Sequence, residues 1–236
     1  MKNFRNNRKE LIKENRVKKY LLYALGEIIL VVIGILIALQ VNTWKIDTAN
    51  RSDEQFYLKK LKQNLQQDTI YLKQRIGEIK SSEEGLELLK KEIHDPQLQK
   101  FSNDNAMFNL FAVFSFTPQT STFDNLISTG KLGLITNQAL VDSIFVYYND
   151  LNNFPQQRIS SIETYTRNTI GPYLLKFDGV FSNEIRKKPI EYGRDVFINN
   201  AISAKKFMIE GLRQDYDFSF QRSIRLMHLI SKEIQE

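Results

Sequence analysis

Two hydrophobic patterns of different character divide the chain. From Leu21 to Leu39 the residues are almost continuously apolar, with one charge, Glu27. At ~1.5 Å per residue this run reaches about 28 Å, close to the ~30 Å hydrocarbon thickness of a bilayer. A buried helix of a soluble protein would keep a polar face. A cleavable leader would have a shorter apolar region followed by a small-x-small site. Ala38-Leu39-Gln40-Val41-Asn42 is a poor site of that kind. The pattern therefore predicts one membrane-spanning helix over residues 21–40.

Beyond it the apolar positions become periodic. Leu58, Leu65, Leu72, Ile79, Leu86 and Ile93 recur every seven residues. The companion heptad position reads Leu61, Asp68, Arg75, Ser82 and Leu89, too polar for a two-stranded coiled coil. A long helix laying one stripe on neighbouring helices fits better. Little between Gln40 and Gln55 breaks a helix, so the pattern predicts continuation out of the apolar run. Gly77 and Gly85 are candidate bends. Pro96 ends the helix near Asp95.

A second helix is expected from about Asn103–Asn105, with Phe108, Phe111 and Phe114 on one core face. Pro118 interrupts it. Ser121 or Thr122 can cap a short helix to Thr129, stopped by Gly130. Asn137 caps the next, which Pro155 should end near Asn152. Another is expected from Gln156 to Thr169, before Gly171-Pro172. Phe177 to Lys188 reads as loop with short helix, and Pro189 to Gly193 as a connection. Ile202, Phe207, Ile209, Leu212, Tyr216, Phe220, Ile224, Met227, Ile230 and Ile234 mark a closing helix over Ala201 to Ile234. The fold class is all-α: a transmembrane helix, then a helical bundle over residues 41–236 whose long first and last helices pair antiparallel.

Charge changes the picture in one respect. The formal net charge is +6. Residues 1–20 hold Lys2, Arg5, Arg8, Lys9, Lys13, Arg16, Lys18 and Lys19 against Glu10 and Glu14, which accounts for all of it. A nucleic-acid partner would need a basic patch on the folded part, so none is expected. A basic tail beside an apolar run sets topology instead. Arg16, Lys18 and Lys19 hold the N-terminus in the cytoplasm and send the rest outward, into a periplasm. Tyr20, Tyr23 and Trp44 lie where rings anchor at the membrane interface.

Gly26, Leu30, Gly34 and Ala38 repeat every four residues, and Gly34-x-x-x-Ala38 is a small-xxx-small pair. With Glu27 beside them they form a candidate helix–helix interface, for a protein partner or for self-association.

The stretch from Lys19-Tyr20-Leu21-Leu22-Tyr23-Ala24-Leu25-Gly26-Glu27-Ile28 to Gln40-Val41-Asn42 resembles the N-terminus of a family of uncharacterised, membrane-anchored bacterial proteins, known as a domain of unknown function. Ser121-Thr122-Phe123-Asp124-Asn125-Leu126 through Gly130-Lys131-Leu132, with the later Tyr147-Tyr148, is a second similar stretch. That family often carries Asn-Asn-Trp-Asn after its anchor, where this chain has Asn42-Thr43-Trp44-Lys45. The resemblance implies a single-pass anchor and a helical exterior, and no activity.

Chemistry is sparsely signalled. There is no cysteine, which removes disulfides, thiol catalysis and Cys-ligated zinc. The two histidines, His94 and His228, lack partners at metal-ligand spacing. Ser128-Thr129-Gly130-Lys131-Leu132 fails as a phosphate loop, with Asn125 where Gly is needed and Leu132 where Ser or Thr is needed. No Gly-x-Ser-x-Gly turn is present. No cofactor and no catalytic residue are nominated. The expected function is that of an interaction or scaffold protein in a membrane assembly. An extracytoplasmic ligand-binding module signalling through a partner is the alternative, and an enzyme is disfavoured.

Overall fold

A computed structural model describes residues 16–95, 107–176 and 195–235. The expected helix start at Asn103–Asn105, the loop over Phe177 to Lys188, the connection Pro189 to Gly193 and most of the basic tail lie outside them. Among the described residues there are helices and no strand. The chain divides into two units, Met1–Glu54 and Gln55–Glu236.

The first unit is helical from Arg16, the start of helix α1 (Arg16–Glu92), which continues without a break into the second unit. Gly77 and Gly85 do not interrupt α1. The helix is long and apolar enough to cross a membrane, and none of its most apolar eighteen residues is buried. Leu22, Leu30 and Leu36 stand well exposed.

In the second unit three long elements pack together. These are α1 from Gln55, α3 (Gln138–Tyr165) and α5 (Val196–Gln235). A π-helical turn (Thr166–Ile170) and the short α4 (Gly171–Leu174) extend α3. Gln55 bonds to Glu233, Thr69 to Ser223, Arg213 to Glu83 and Lys90 to Ser203. Numbers rise along α1 as they fall along α5, so the two run antiparallel, as the heptads suggest. Arg222 pairs with Asp150 and Arg158 with Asp215, which sets α3 antiparallel to α5 in the same way. All six heptad residues are buried, five on α1 and Ile93 just past its end, and so are Leu61, Asp68, Ser82 and Leu89 at the companion position.

The chain returns along α1 by a strap rather than by the expected helix. A 3₁₀ turn (Met107–Leu110) is followed by residues 111–120 without regular structure. Phe114, Phe116 and Pro118 point inward while Ser115 and Thr117 face solvent, a period of two. Phe108 is exposed, so the three-apart phenylalanines do not share a face. The reason is reach. A Cβ on Gly85 would meet the Asn109 side chain, and Asp68 holds the Gln119 amide. Between those points α1 advances about 26 Å. Ten helical residues would cover about 15 Å, whereas ten extended ones reach about 33 Å.

The strap's backbone is held by side chains from all three long helices. Tyr216 donates to the Phe114 carbonyl (2.6 Å), Gln156 to that of Phe116 (2.9 Å) and Asn64 to that of Gln119 (3.1 Å). Pro118 has no N–H to satisfy, which suits it to this buried extended position.

Helix α2 (Ser121–Ser128) follows, and buries Phe123 and Leu126. Its N-cap is Thr120, without a side-chain cap bond, not Ser121 or Thr122. Thr122 instead accepts from Asn64. Gly130, with φ 68°, takes the left-handed turn that ends this stretch. Asn137 caps α3 as expected, its side chain accepting from the Leu140 amide.

Pro155 lies inside α3 and does not end it at Asn152. Leu151, Pro155, Ile159 and Ile162 are all buried on one stripe. Packing along that stripe outweighs the ~3 kcal/mol an interior proline costs. For the same reason the helical path does not stop at Gly171-Pro172, since Ile170 and Leu174 remain buried. Helix α5 begins at Val196, earlier than Ala201.

Candidate functional site

Within the first unit, Gly26, Glu27, Leu30, Gly34 and Ala38 are all exposed along α1. A Cβ added at Gly26 or Gly34 would meet nothing within 4 Å. A spacing of four advances the strip about 40° per step around the helix. Glu27 lies between this strip and a shallow groove of about 310 Å³ lined by Ala24, Glu27, Ile28, Val31 and Val32. The helix thus presents small residues that allow close approach of a neighbour, with one carboxyl beside them. Trp44 is 70 % exposed, two turns beyond Leu36. Tyr20, Arg16, Lys18 and Lys19 lie on α1, as does Tyr23, but their side chains are outside the described residues.

In the second unit the structure assembles a polar cluster that composition and motifs do not single out. Asp68 is fully buried in the middle of the bundle. One carboxylate oxygen accepts from the Gln119 amide of the strap at 2.9 Å. The other, Oδ2, is enclosed without a hydrogen bond. The Tyr147 hydroxyl faces both Asp68 and Ser223 and interacts with each electrostatically, yet closes no hydrogen bond of good geometry. The Tyr148 hydroxyl is enclosed in the same way, with its ring stacked on Phe123. Ser223 and Thr69 hydrogen-bond to each other at 2.8 Å.

Burial dominates the acid–base behaviour of the cluster. It pushes the Asp68 carboxyl up to about 6, against the opposing effect of the Gln119 and Tyr147 donors. It also pushes the Tyr147 and Tyr148 phenols well above their ordinary range, and the Asp68 charge adds to that. The signal available in the sequence was Asp68 itself, an acid at a heptad position that otherwise faces the core.

A second buried charge lies at the π turn. The Lys205 side chain is fully buried, and its ammonium donates to the Thr166 hydroxyl at 2.6 Å. Burial alone lowers its pKa to about 8, with no carboxylate opposing it. Short π segments recur at functional positions, which makes Lys205 and Thr166 a pair of interest.

Two open grooves run along the α3–α5 seam and share Tyr147 and Arg222. One, of about 250 Å³, is walled by Leu151, Phe154, Pro155 and Phe218. The other, of about 290 Å³, is walled by Val146, Leu226 and Leu229, with Arg225 at its edge. Arg222 pairs with Asp150 and its guanidinium lies 4.4 Å from the Phe218 ring centroid.

Among the described residues no group of three or more His, Asp or Glu could hold a metal ion. Ser128 closes α2, Gly130 turns the chain, and the Lys131 amine lies 5.4 Å from the Tyr57 ring centroid, so this stretch is a helix end rather than a phosphate loop.

No curated protein and no solved structure matches the chain. A family profile does match, over residues 27–168. It takes in most of the apolar run, the strap, α2 and α3, and covers more than half of the chain. That span holds Asp68, Tyr147 and Tyr148, while Lys205 and the rest of α5 lie beyond it. The expected kinship with an uncharacterised family thus holds, and the chain belongs to a family of unknown function (DUF6090).

Proposed function

We propose that this protein is a single-pass, membrane-anchored interaction protein, a subunit or scaffold of a membrane assembly. Its N-terminus is cytoplasmic and its helical domain periplasmic in this reading. The observation that carries it is the apolar first unit, with none of its most apolar stretch buried. Such a surface is stable only in lipid or against other helices. Orientation rests on the basic flank before Leu21. The small-residue strip supports a helix–helix contact, with Glu27 supplying a polar one.

The test is purification of the tagged full-length protein from native membranes in mild detergent, followed by mass spectrometry. A stoichiometric membrane partner is expected, or a self-associated species. Gly34→Leu or Glu27→Leu should reduce its recovery at least severalfold. Unchanged recovery with both variants refutes the interface.

A second reading, an extracytoplasmic ligand-binding module that signals through a partner, is supported by the two grooves on the α3–α5 seam. A reproducible thermal shift with a defined small molecule, lost in Phe154→Ala, favours it. A broad screen without a shift counts against it.

A further inference from the structure

The strap over residues 111–120 is extended chain without regular structure, held by side chains of the long helices and pinned near its C-terminal end by a buried acid that lacks a counter-charge. Asp68 receives the Gln119 amide on one oxygen and no hydrogen bond on the other. The groups that face it are neutral or acidic. Helix α3 offers the Tyr147 hydroxyl, with Tyr148 next to it. From α2, Asp124 acts on Tyr148 with the same sign as Asp68. Helix α5 offers the Ser223 hydroxyl, which also bonds to Thr69 on α1. The strap offers only the Gln119 amide. Arg222, beside Ser223 in sequence, is engaged with Asp150 in the α3–α5 groove.

A carboxylate enclosed in this way is stabilised either by holding a proton or by admitting water. Protonated, the carboxyl is neutral and its enclosure costs far less than that of the ion. Ionised, the charge needs water, and the strap is the covering element that Asp68 itself holds, through the Gln119 amide. It is held on the bundle by three side-chain bonds to its carbonyls besides Asp68, and by Phe114, Phe116 and Pro118.

We propose that the strap is a proton-controlled latch, closed on the bundle when Asp68 is protonated and opened more readily when Asp68 is ionised. Opening would uncover the faces of α1, α3 and α5 that Phe114 and Phe116 cover. This rests on the periplasmic placement proposed above, in which the domain meets the external pH and the latch follows its acidity.

The sign follows from linkage. The closed state holds its proton up to about pH 6, the open state only to an ordinary carboxylate value, so the opening constant rises with pH. Most of the lower part of that shift is used below pH 5, leaving roughly a tenfold rise between about pH 5 and about pH 8.

The test is hydrogen exchange of the full-length protein in detergent micelles at those two pH values, corrected for intrinsic exchange and read on peptides covering 111–120. Wild-type protein should show the tenfold rise in strap opening, with the α1 heptad core unchanged. Asp68→Asn, a neutral isostere that keeps an acceptor for Gln119, should open equally at both. Tyr147→Phe removes a donor to the carboxylate and should move the midpoint to higher pH, so the proposal remains testable if Asp68→Asn fails to fold. A strap whose opening is independent of pH in wild type, a dependence that survives Asp68→Asn, or a midpoint unmoved by Tyr147→Phe would each overturn it.

Discussion

Replacing Lys205 by methionine should make the protein more stable. The side chain is fully enclosed on α5, and its ammonium has one hydrogen bond, to Thr166. Burial lowers the amine from 10.5 to about 8. At 1.36 kcal/mol per unit, that difference is a cost of about 3 kcal/mol to the folded state at neutral pH. Methionine keeps the length and flexibility of the side chain and carries no charge. The lost bond to Thr166 costs about 1 kcal/mol, leaving a net gain of about 2 kcal/mol. For a folded region of this size that raises the melting temperature by roughly 4–8 °C. Thermal unfolding of the full chain in micelles, followed by circular dichroism, reads it directly.

The pH dependence gives a second check on the same reasoning. Below about pH 8 the amine is protonated in both states and the whole cost is present. Between there and the unfolded value the unfolded chain binds more protons, so wild-type stability should rise with pH and Lys205→Met should not follow it. Tyr147, Tyr148 and Tyr216, whose phenols are raised by burial, act in the opposite sense, but only above about pH 10 where the unfolded phenols ionise. The window from about pH 7 to about pH 9.5 therefore isolates Lys205. A methionine variant that melts no higher at neutral pH, or a wild-type protein of flat stability across the window, refutes the argument.

Two further substitutions probe the helices. Gly77→Ala places its methyl group in open space and should stabilise α1 by about 1 kcal/mol, whereas at Gly85 the same change meets the Asn109 side chain and should lose that gain, as comparative denaturant titrations of the two variants would report. Asn137→Ala removes the bond from the Leu140 amide and the bond to Glu233 and should cost about 1 kcal/mol in the same titration, with Asn137→Ser keeping a cap acceptor and recovering part of it.

The local grammar of the chain was enough for those elements whose own residues carry the cause. The apolar run ending at Leu39 needs no neighbour to be apolar, and its length alone matches a bilayer. The heptads of α1 and the periodic stripe of α5 announced two long helices and their pairing. Asn137 and Gly130 acted as a cap and a turn because each works through its own side chain or its own φ. Membership in an uncharacterised family was readable from contiguous residues for the same reason.

Other features depended on what lies across the bundle. Phe108, Phe111 and Phe114 suggested a helix, yet the distance from Asn109 to Gln119 along α1 demanded extended chain, and no local pattern encodes that distance. Pro155 should have ended α3, but contacts from Leu151 to Ile162 hold the helix through it. Asp68 stood out only as one of several polar residues at the companion heptad position, and nothing in the local pattern singled out Lys205 on α5. Their burial follows from where Tyr147, Gln119 and Thr166 arrive, and these come from segments 39 or more residues away in the chain. Short-range propensity is a matter of fractions of a kcal/mol per residue, whereas packing and desolvation are worth several kcal/mol at one position, so the long-range terms decided these places.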